Sequence, residues 1–313
     1  MSGTGPATPT VLVVGAGAVG AFFGSALARQ GAQVSVVCRS EFDAVQRNGF
    51  AIRSALLGDH TFKPHRVWRE VDGESPPDYL VLAAKVLPGV DRAALLRPAV
   101  GPRTVIVLIQ NGIDIEGDIL TAFPDNELLS ALAFIAVSRV GEGRIHHQSS
   151  GSLVLGRFPA GITAAAQQLA ALFEASGVGC RLTEGVVGAR WQKAVWNAAF
   201  NPISIMGGVL DTAQMLRTAE NEAFVRRVMQ EVCAVAAALG YPQPPKLIDQ
   251  LIAHTKGMVP YKTSMALDFE NRRPMEIEAI LGNTVRAAQR AGVGVPALET
   301  LYALARMIEG KER

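Results

Sequence analysis

Residues 11–40 read VLVVGAGAVGAFFGSALARQGAQVSVVCRS, and this stretch decides the fold. Residues 11–14 form a short apolar run of the kind that makes a buried strand, and they lead directly into Gly15, Gly17 and Gly20. The pattern predicts a helix over 18–29, then a turn at Gly31 and a second strand over 33–38. A G-x-G-x-x-G run in strand–turn–helix–strand context is a dinucleotide fingerprint, whereas the same run alone is a weak signal. Gly15 permits the tight turn, Gly17 lets the backbone approach a pyrophosphate, and Gly20 lets the helix sit close on the strand. Ala16, Ala18 and Val19 complete the expected cofactor-binding loop, whose helix N-terminus faces the phosphates.

The end of the second strand chooses between dinucleotides. A carboxylate there would bind the ribose 2′-hydroxyl of NAD. Cys38-Arg39-Ser40 offers none, and a guanidinium pairs with a 2′-phosphate through charge-assisted hydrogen bonds. NADP is the expected cofactor, with an ordinary exposed arginine as the competing explanation of Arg39.

Composition narrows the remaining classes. A chain of 313 residues that is 49% hydrophobic is globular rather than disordered. Its net charge of +2 is too small to argue for nucleic acid or an acidic membrane surface. The three cysteines are odd in number and far apart, which speaks against a disulfide framework and suits a reducing cytoplasm. The five histidines show no metal-ligand spacing, so no metal is expected. Residues 1–10 lack the charged start and apolar core of a signal peptide, so none is expected, and no run of about eighteen apolar residues could span a bilayer.

The pattern changes near residue 185. Before it, apolar strand-like runs at 79–85, 104–110, 129–137 and 152–158 alternate with helical segments, followed by a helix over 164–175 and a short strand over 179–182. This predicts an α/β fold whose N-terminal domain, 1–184, is a Rossmann-type doubly wound sheet, with later strands turning antiparallel and residues 1–10 as a flexible tail. From 185 to 313 the pattern is helical, with helices expected over 188–201, 219–239, 245–253, 276–291 and 297–309, and Pro202 bending or ending the first of them. An active cleft is expected between the two domains.

Within the helical half, RWQKAVWNAAFNPISIM places Lys193, Asn197 and Asn201 at i, i+4 and i+8. Four residues overshoot a turn by about 40°, so one cation and two amides share a wall suited to a small polar anion. A solvent-reaching lysine beside two bridging amides would give the same spacing. Asn111-Gly112 ends the run TVIVLIQNG as a strand-to-loop turn. Farther on, Pro274 suits a helix start with Glu276 in the first turn, where the helix dipole alone would favour an acid.

Taken together, GAGAVG followed by an arginine, AAK around Lys85, QNG around Asn111, KAVWNAAFNP, and the Ser264-to-Glu276 segment ending in EIEAILG resemble the ketopantoate reductases over nearly the whole chain. The resemblance implies reduction of the C2 ketone of ketopantoate by NADPH to give pantoate, on the route to pantothenate and coenzyme A. It implies a catalytic lysine at Lys193 and an active-site carboxylate at Glu276. It further implies substrate contacts from Asn111, Asn197, Asn201 and Ser264, and contacts from Arg39 and Lys85 to the phosphate or adenosine end of NADP, with Asn111 also bordering the cofactor. The alternatives are a paralogous NADPH-dependent reductase of another branched 2-keto acid and a non-catalytic NADP-binding regulator. The partner expected is therefore a small-molecule 2-keto acid. A homodimer is left open, because the apolar residues of MQEVCAVAAALGY serve a core or an interface equally well.

The chemistry of the residues agrees. Hydride arriving at a keto acid makes an incipient alkoxide, which a lysine can stabilise and protonate. Burial would lower the pKa of Lys193 and a neighbouring Glu276 would raise it; the sequence does not decide which dominates.

Overall fold

The computed structural model describes residues 8–71 and 75–311; residues 1–7 of the expected tail lie outside the described residues. The chain falls into two compact units. The first takes in the chain up to Lys85, Asp91–Gln110 and Glu116–Val186, and the second holds Val86–Val90, Asn111–Ile115 and the chain from Val187 onward.

The first unit is built on one sheet. Its strands are β1 (Thr10–Val14), β2 (Gln33–Val37), β3 (Phe50–Ser54), β4 (His60–Phe62), β5 (Val67–Trp68), β6 (Tyr79–Leu82), β7 (Val105–Ile109), β8 (Leu128–Gly141), β9 (Arg144–Arg157) and β10 (Cys180–Leu182). They run in the order β4-β3-β9-β8-β7-β6-β1-β2-β5, with β10 on β9. The block from β8 to β5 is parallel throughout, and β9 turns antiparallel on β8. This is the Rossmann-type arrangement, and β1 shows why. Val11, Leu12, Val13 and Val14 are all buried, so both faces of the strand are covered, as a parallel sheet flanked by helices requires. Helix α1 (Ala18–Ala28) contributes Phe22, Phe23 and Leu27 to the core beneath it, each worth about 1.5–3 kcal/mol when fully buried. The unit also carries α2 (Phe42–Asn48), α3 (Arg92–Leu96), α4 (Gly117–Ala122) and α5 (Ala164–Ala175).

Two features differ from the sequence expectation. Strands β3 to β5 fill a stretch that the reading passed over, although Phe50, Ile52 and Ser54 alternate buried with exposed neighbours. The expected strands over 129–137 and 152–158 prove to be parts of a long hairpin, β8 and β9, turned by Glu142 and Gly143, with Gly143 at φ +63°. The part nearest its tip, residues 138–151, is mostly polar apart from Val140 and the buried Ile145, so no apolar run marks it.

The second unit is helical, with α6 (Val186–Met206), α7 (Thr212–Met215), α8 (Ala219–Ala238), α9 (Leu247–Gly257), α10 (Ser264–Glu270), a π-turn (Glu278–Gly282), α11 (Asn283–Ala291) and α12 (Pro296–Lys311). Its own core gathers Trp191, Val195 and Phe200 from α6 with Val228, Val232 and Val235 from α8. The Glu231 carboxylate on α8 accepts the Ala297 and Leu298 amides (3.0 and 2.8 Å), which satisfies the N-terminus of α12.

Here too there are corrections. Helix α6 runs through Pro202 to Met206 rather than ending at Asn201. The missing proline amide costs one ladder bond, while Ser204 Oγ donates to the Asn201 carbonyl (2.6 Å) and bonds Thr263 Oγ1 (2.8 Å) in the buried last turns. The expected helix over 276–291 is a π-turn continued by α11, and Pro274 and Glu276 lie ahead of it. No helix among the described residues is long and apolar enough to cross a membrane.

Candidate active site

The glycine-rich loop belongs to the first unit. Gly15 has φ +89°, and a Cβ there would stand 2.4 Å from the Ala84 nitrogen; only glycine fits. The loop therefore folds directly against the segment that ends in Lys85. The Gly15 and Ala16 amides both donate to the Val37 carbonyl (3.1 and 3.0 Å), joining the ends of β1 and β2. Gly17 sits at the N-cap of α1 with no side chain capping the helix, and a Cβ on it would meet nothing within 4 Å. An uncapped helix N-terminus with open space at its first residue fits a phosphate group. Arg39, exposed, comes just after β2, and Lys85, half-buried, just after β6. The sequence reading missed Arg139 on β8, which donates to Ser40 Oγ (3.2 Å) and pairs with the buried Glu41 carboxylate (3.2 Å). No spacing in the sequence brings residue 139 to residue 40.

The remaining candidates lie in the second unit. Lys193 Nζ donates to Asn111 Oδ1 (2.8 Å), and Asn111 Nδ2 donates to Glu276 Oε2 (3.3 Å). Glu276 Oε1 accepts the Val86 amide (2.9 Å). Residues far apart in sequence thus form one hydrogen-bonded chain, with a cation at one end and a carboxylate at the other. The Asn111 segment is fastened on both sides. Ile113 N–H donates to the Ala279 carbonyl within the π-turn (3.1 Å), and Asn283 Nδ2 donates to the Ile113 carbonyl (2.6 Å). Arg190, buried on α6, donates to the Gly112 carbonyl (3.0 Å). π-turns interrupt the regular ladder and recur at functional sites, and here one meets the Asn111 loop.

Electrostatics single out Lys193. Burial pushes its pKa down to about 7, the nearby Arg190 guanidinium pushes the same way, and Glu276 opposes both. Desolvation therefore settles the question that the sequence left open. The ammonium is poised to give up a proton near neutrality, as a general acid requires.

Asn197 is half-buried one turn beyond Lys193. Asn201 is buried, and its Oδ1 has no hydrogen-bond partner among the described residues. A buried amide oxygen left without a donor is uncommon, and a ligand hydroxyl would satisfy it. Ser264 opens α10 with an exposed side chain and is not a member of the hydrogen-bonded chain from Lys193 through Asn111 to Glu276. Its neighbour Thr263 is buried and caps α10 by accepting the Ala266 amide. The sequence reading passed over Arg190, Val86 and the Gly112–Ala279 contact. Arg190 was within reach, since it precedes Lys193 by three residues and so shares its helix face.

Residues 11–160 match the family model described as ketopantoate reductase PanE/ApbA, and residues 186–309 match that of its C-terminal part. A 2-dehydropantoate 2-reductase from Nostoc sp. is 30% identical over 306 residues, covering 96% of this chain and 95% of that protein. The crystal structure of 2-dehydropantoate 2-reductase from Methylococcus capsulatus is 51% identical with a TM-score of 0.90, covering 97% of each chain. A D-mandelate dehydrogenase bound to NADH and anilino(oxo)acetate shares the fold, with a TM-score of 0.89 at 22% identity over 97% of this chain and 99% of that one. These proteins are oxidoreductases, and so is this one. With both family models matched in order along one chain, the protein belongs to the ketopantoate reductase (PanE/ApbA) family.

Proposed function

We propose that this protein reduces 2-dehydropantoate (ketopantoate) to pantoate with NADPH. The observation that carries this reading is the chain from Lys193 through Asn111 to Glu276, with the lysine pKa lowered to about 7. The 51% identity to a 2-dehydropantoate 2-reductase supports the substrate. When bound, the reduced dinucleotide supplies a hydride to the C2 carbonyl carbon. Lys193 hydrogen-bonds the carbonyl oxygen as negative charge develops there, then passes it a proton. The N–H bond breaks as the O–H bond forms, leaving the 2-hydroxy acid and a neutral amine that regains a proton from solvent. Asn111 holds the ammonium in place. Glu276, engaged by Val86 N–H and the Asn111 amide, orients Asn111 and balances the positive charge. Asn197, Asn201 and Ser264 supply neutral hydrogen bonds to substrate, of which the Asn201 oxygen best suits the substrate hydroxyl.

The direct test is NADPH oxidation with ketopantoate against a panel of other 2-oxo acids, branched and aromatic, with NADH in parallel. Preference for ketopantoate with NADPH supports the reading. Activity confined to another 2-oxo acid assigns a paralogous reductase with the same lysine chemistry. Tight NADPH binding with no turnover on any member of the panel favours a regulatory NADP-binding role.

The cofactor preference rests on Arg39. Arg39→Asp is expected to raise KM for NADPH about 10- to 100-fold, the worth of one or two lost charge-assisted hydrogen bonds, while sparing KM for NADH. An unchanged KM for NADPH would remove Arg39 from phosphate recognition.

The lowered lysine pKa also sets a pH profile. Below about pH 7 the lysine carries its proton, and above it the general acid is progressively lost. For the NADPH-loaded enzyme, kcat/KM should therefore fall about tenfold per pH unit above neutrality. The limb in kcat should lie higher, because the bound keto-acid carboxylate favours the ammonium. A kcat/KM profile flat to pH 9 would mean that Lys193 is not the proton donor.

A further inference from the structure

Arg190 has no part in the proton transfer itself, yet it is only 4% exposed. Burying a guanidinium is costly unless the charge is used. Its position narrows the use. It lies three residues ahead of Lys193 on α6, hence on the same face, and its Nη1 donates to the Gly112 carbonyl (3.0 Å). Gly112 follows Asn111, whose side chain accepts from Lys193 (2.8 Å). One helix face therefore grips the Asn111 loop twice, once through its main chain and once through its side chain.

We propose that Arg190 is a positioning residue of the reductase: anchored on the Gly112 carbonyl, it fixes Asn111 against Lys193 and keeps a permanent positive charge beside the lysine throughout the proton transfer. This role rests on the reductase reading of the site. Two charged groups that act on Lys193 are Arg190 from its own helix and Glu276 from the segment ahead of the π-turn; Asn111, from the loop, is neutral. When the lysine gives its proton to the alkoxide, it becomes a neutral amine, and the local positive charge it carried is lost. A guanidinium does not deprotonate in proteins, so Arg190 keeps its positive charge acting on Lys193 through the product state. The same fixed charge opposes the ammonium before transfer and makes release easier.

The test compares Arg190→Met with Arg190→Lys, each read by kinetics and by an NMR titration of the 13C-labelled Lys193 side chain. The Lys193 signal is assigned by its loss in Lys193→Ala. Arg190→Met is expected to move the Lys193 titration, and the falling limb of kcat/KM, upward by about one pH unit. It should also lower kcat about tenfold or more at pH 6.5, where the lysine is mostly protonated in both proteins, because Asn111 loses its anchor. Arg190→Lys should keep the midpoint near that of the unaltered protein while recovering only part of kcat, since an ammonium lacks the planar fork of the guanidinium. A purely structural role would lower stability without moving the titration. An unchanged Lys193 midpoint in folded Arg190→Met overturns the proposal. Should that variant not fold, Arg190→Lys decides: full kcat overturns the positioning role, and a lowered kcat with a retained midpoint supports it. The titration needs no turnover, so the expected shift in a protein inactive on every 2-oxo acid supports the placement of Arg190 and overturns the reductase reading instead.

Discussion

Lys193→Ala is expected to lower kcat for the keto acid by about 10³-fold, within the 10²- to 10⁴-fold range of a lost general acid, and to leave NADPH affinity unchanged. Two contributions combine in this loss. The alkoxide loses its proton donor, and it loses the cation that stabilises it as charge develops. Because the cation interacts more strongly with the alkoxide than with the neutral ketone, kcat should fall more steeply than KM rises. NADPH binding is the control, since the glycine loop and Arg39 belong to the other compact unit. The measurement is steady-state kinetics beside calorimetric titration of NADPH. A variant retaining near-normal kcat would take the lysine out of the mechanism, and the pH limb attributed to it would need another owner.

How far the sequence could foresee this site follows from the range of each signal. The glycine loop was legible because its requirements are local: strand, positive φ at Gly15 and helix start all fall within ten residues. Lys193, Asn197 and Asn201 were legible as one face because helical periodicity is local too. Their surroundings were not. Nothing in the sequence says that Asn111 meets Glu276, 165 positions away, or that the Val86 amide meets the same carboxylate. The helix expected over 276–291 is there from residue 277, but it opens through a π-turn, and neither propensity nor capping predicts an inserted residue in a helix. Pro202 misled in the opposite direction. Proline is a strong helix breaker in isolation, but packing around the buried Asn201, Pro202 and Ser204 carries α6 past it. Whether burial or Glu276 would govern the lysine pKa also depended on depth, a property of the packed structure.

Gly112→Ala should be the most damaging small substitution outside the reacting groups, lowering kcat about 10²-fold while leaving helix content in place. Gly112 has φ +110°, and a Cβ on it would stand 2.6 Å from the Ala279 carbonyl oxygen and 2.8 Å from the Ala279 Cβ. The backbone conformation disfavours any L side chain, and the contacts are closer than packed atoms tolerate. Relief is blocked on both sides, because the Gly112 carbonyl accepts from Arg190 (3.0 Å) and Ile113 N–H donates to Ala279 (3.1 Å). The loop must move as a piece, taking with it the Asn111 side chain that joins Lys193 to Glu276. A displacement near 1 Å at such a contact costs about 10² in rate. Ala279→Gly in the same chain removes the Cβ contact but not the carbonyl contact or the strained φ, so it should restore only part of the activity. Circular dichroism and kcat on the single and double variants test this together. Full activity in Gly112→Ala would show that turnover does not require the Asn111 loop to be held against the π-turn, and the alignment of Lys193 would then have to come from α6 alone.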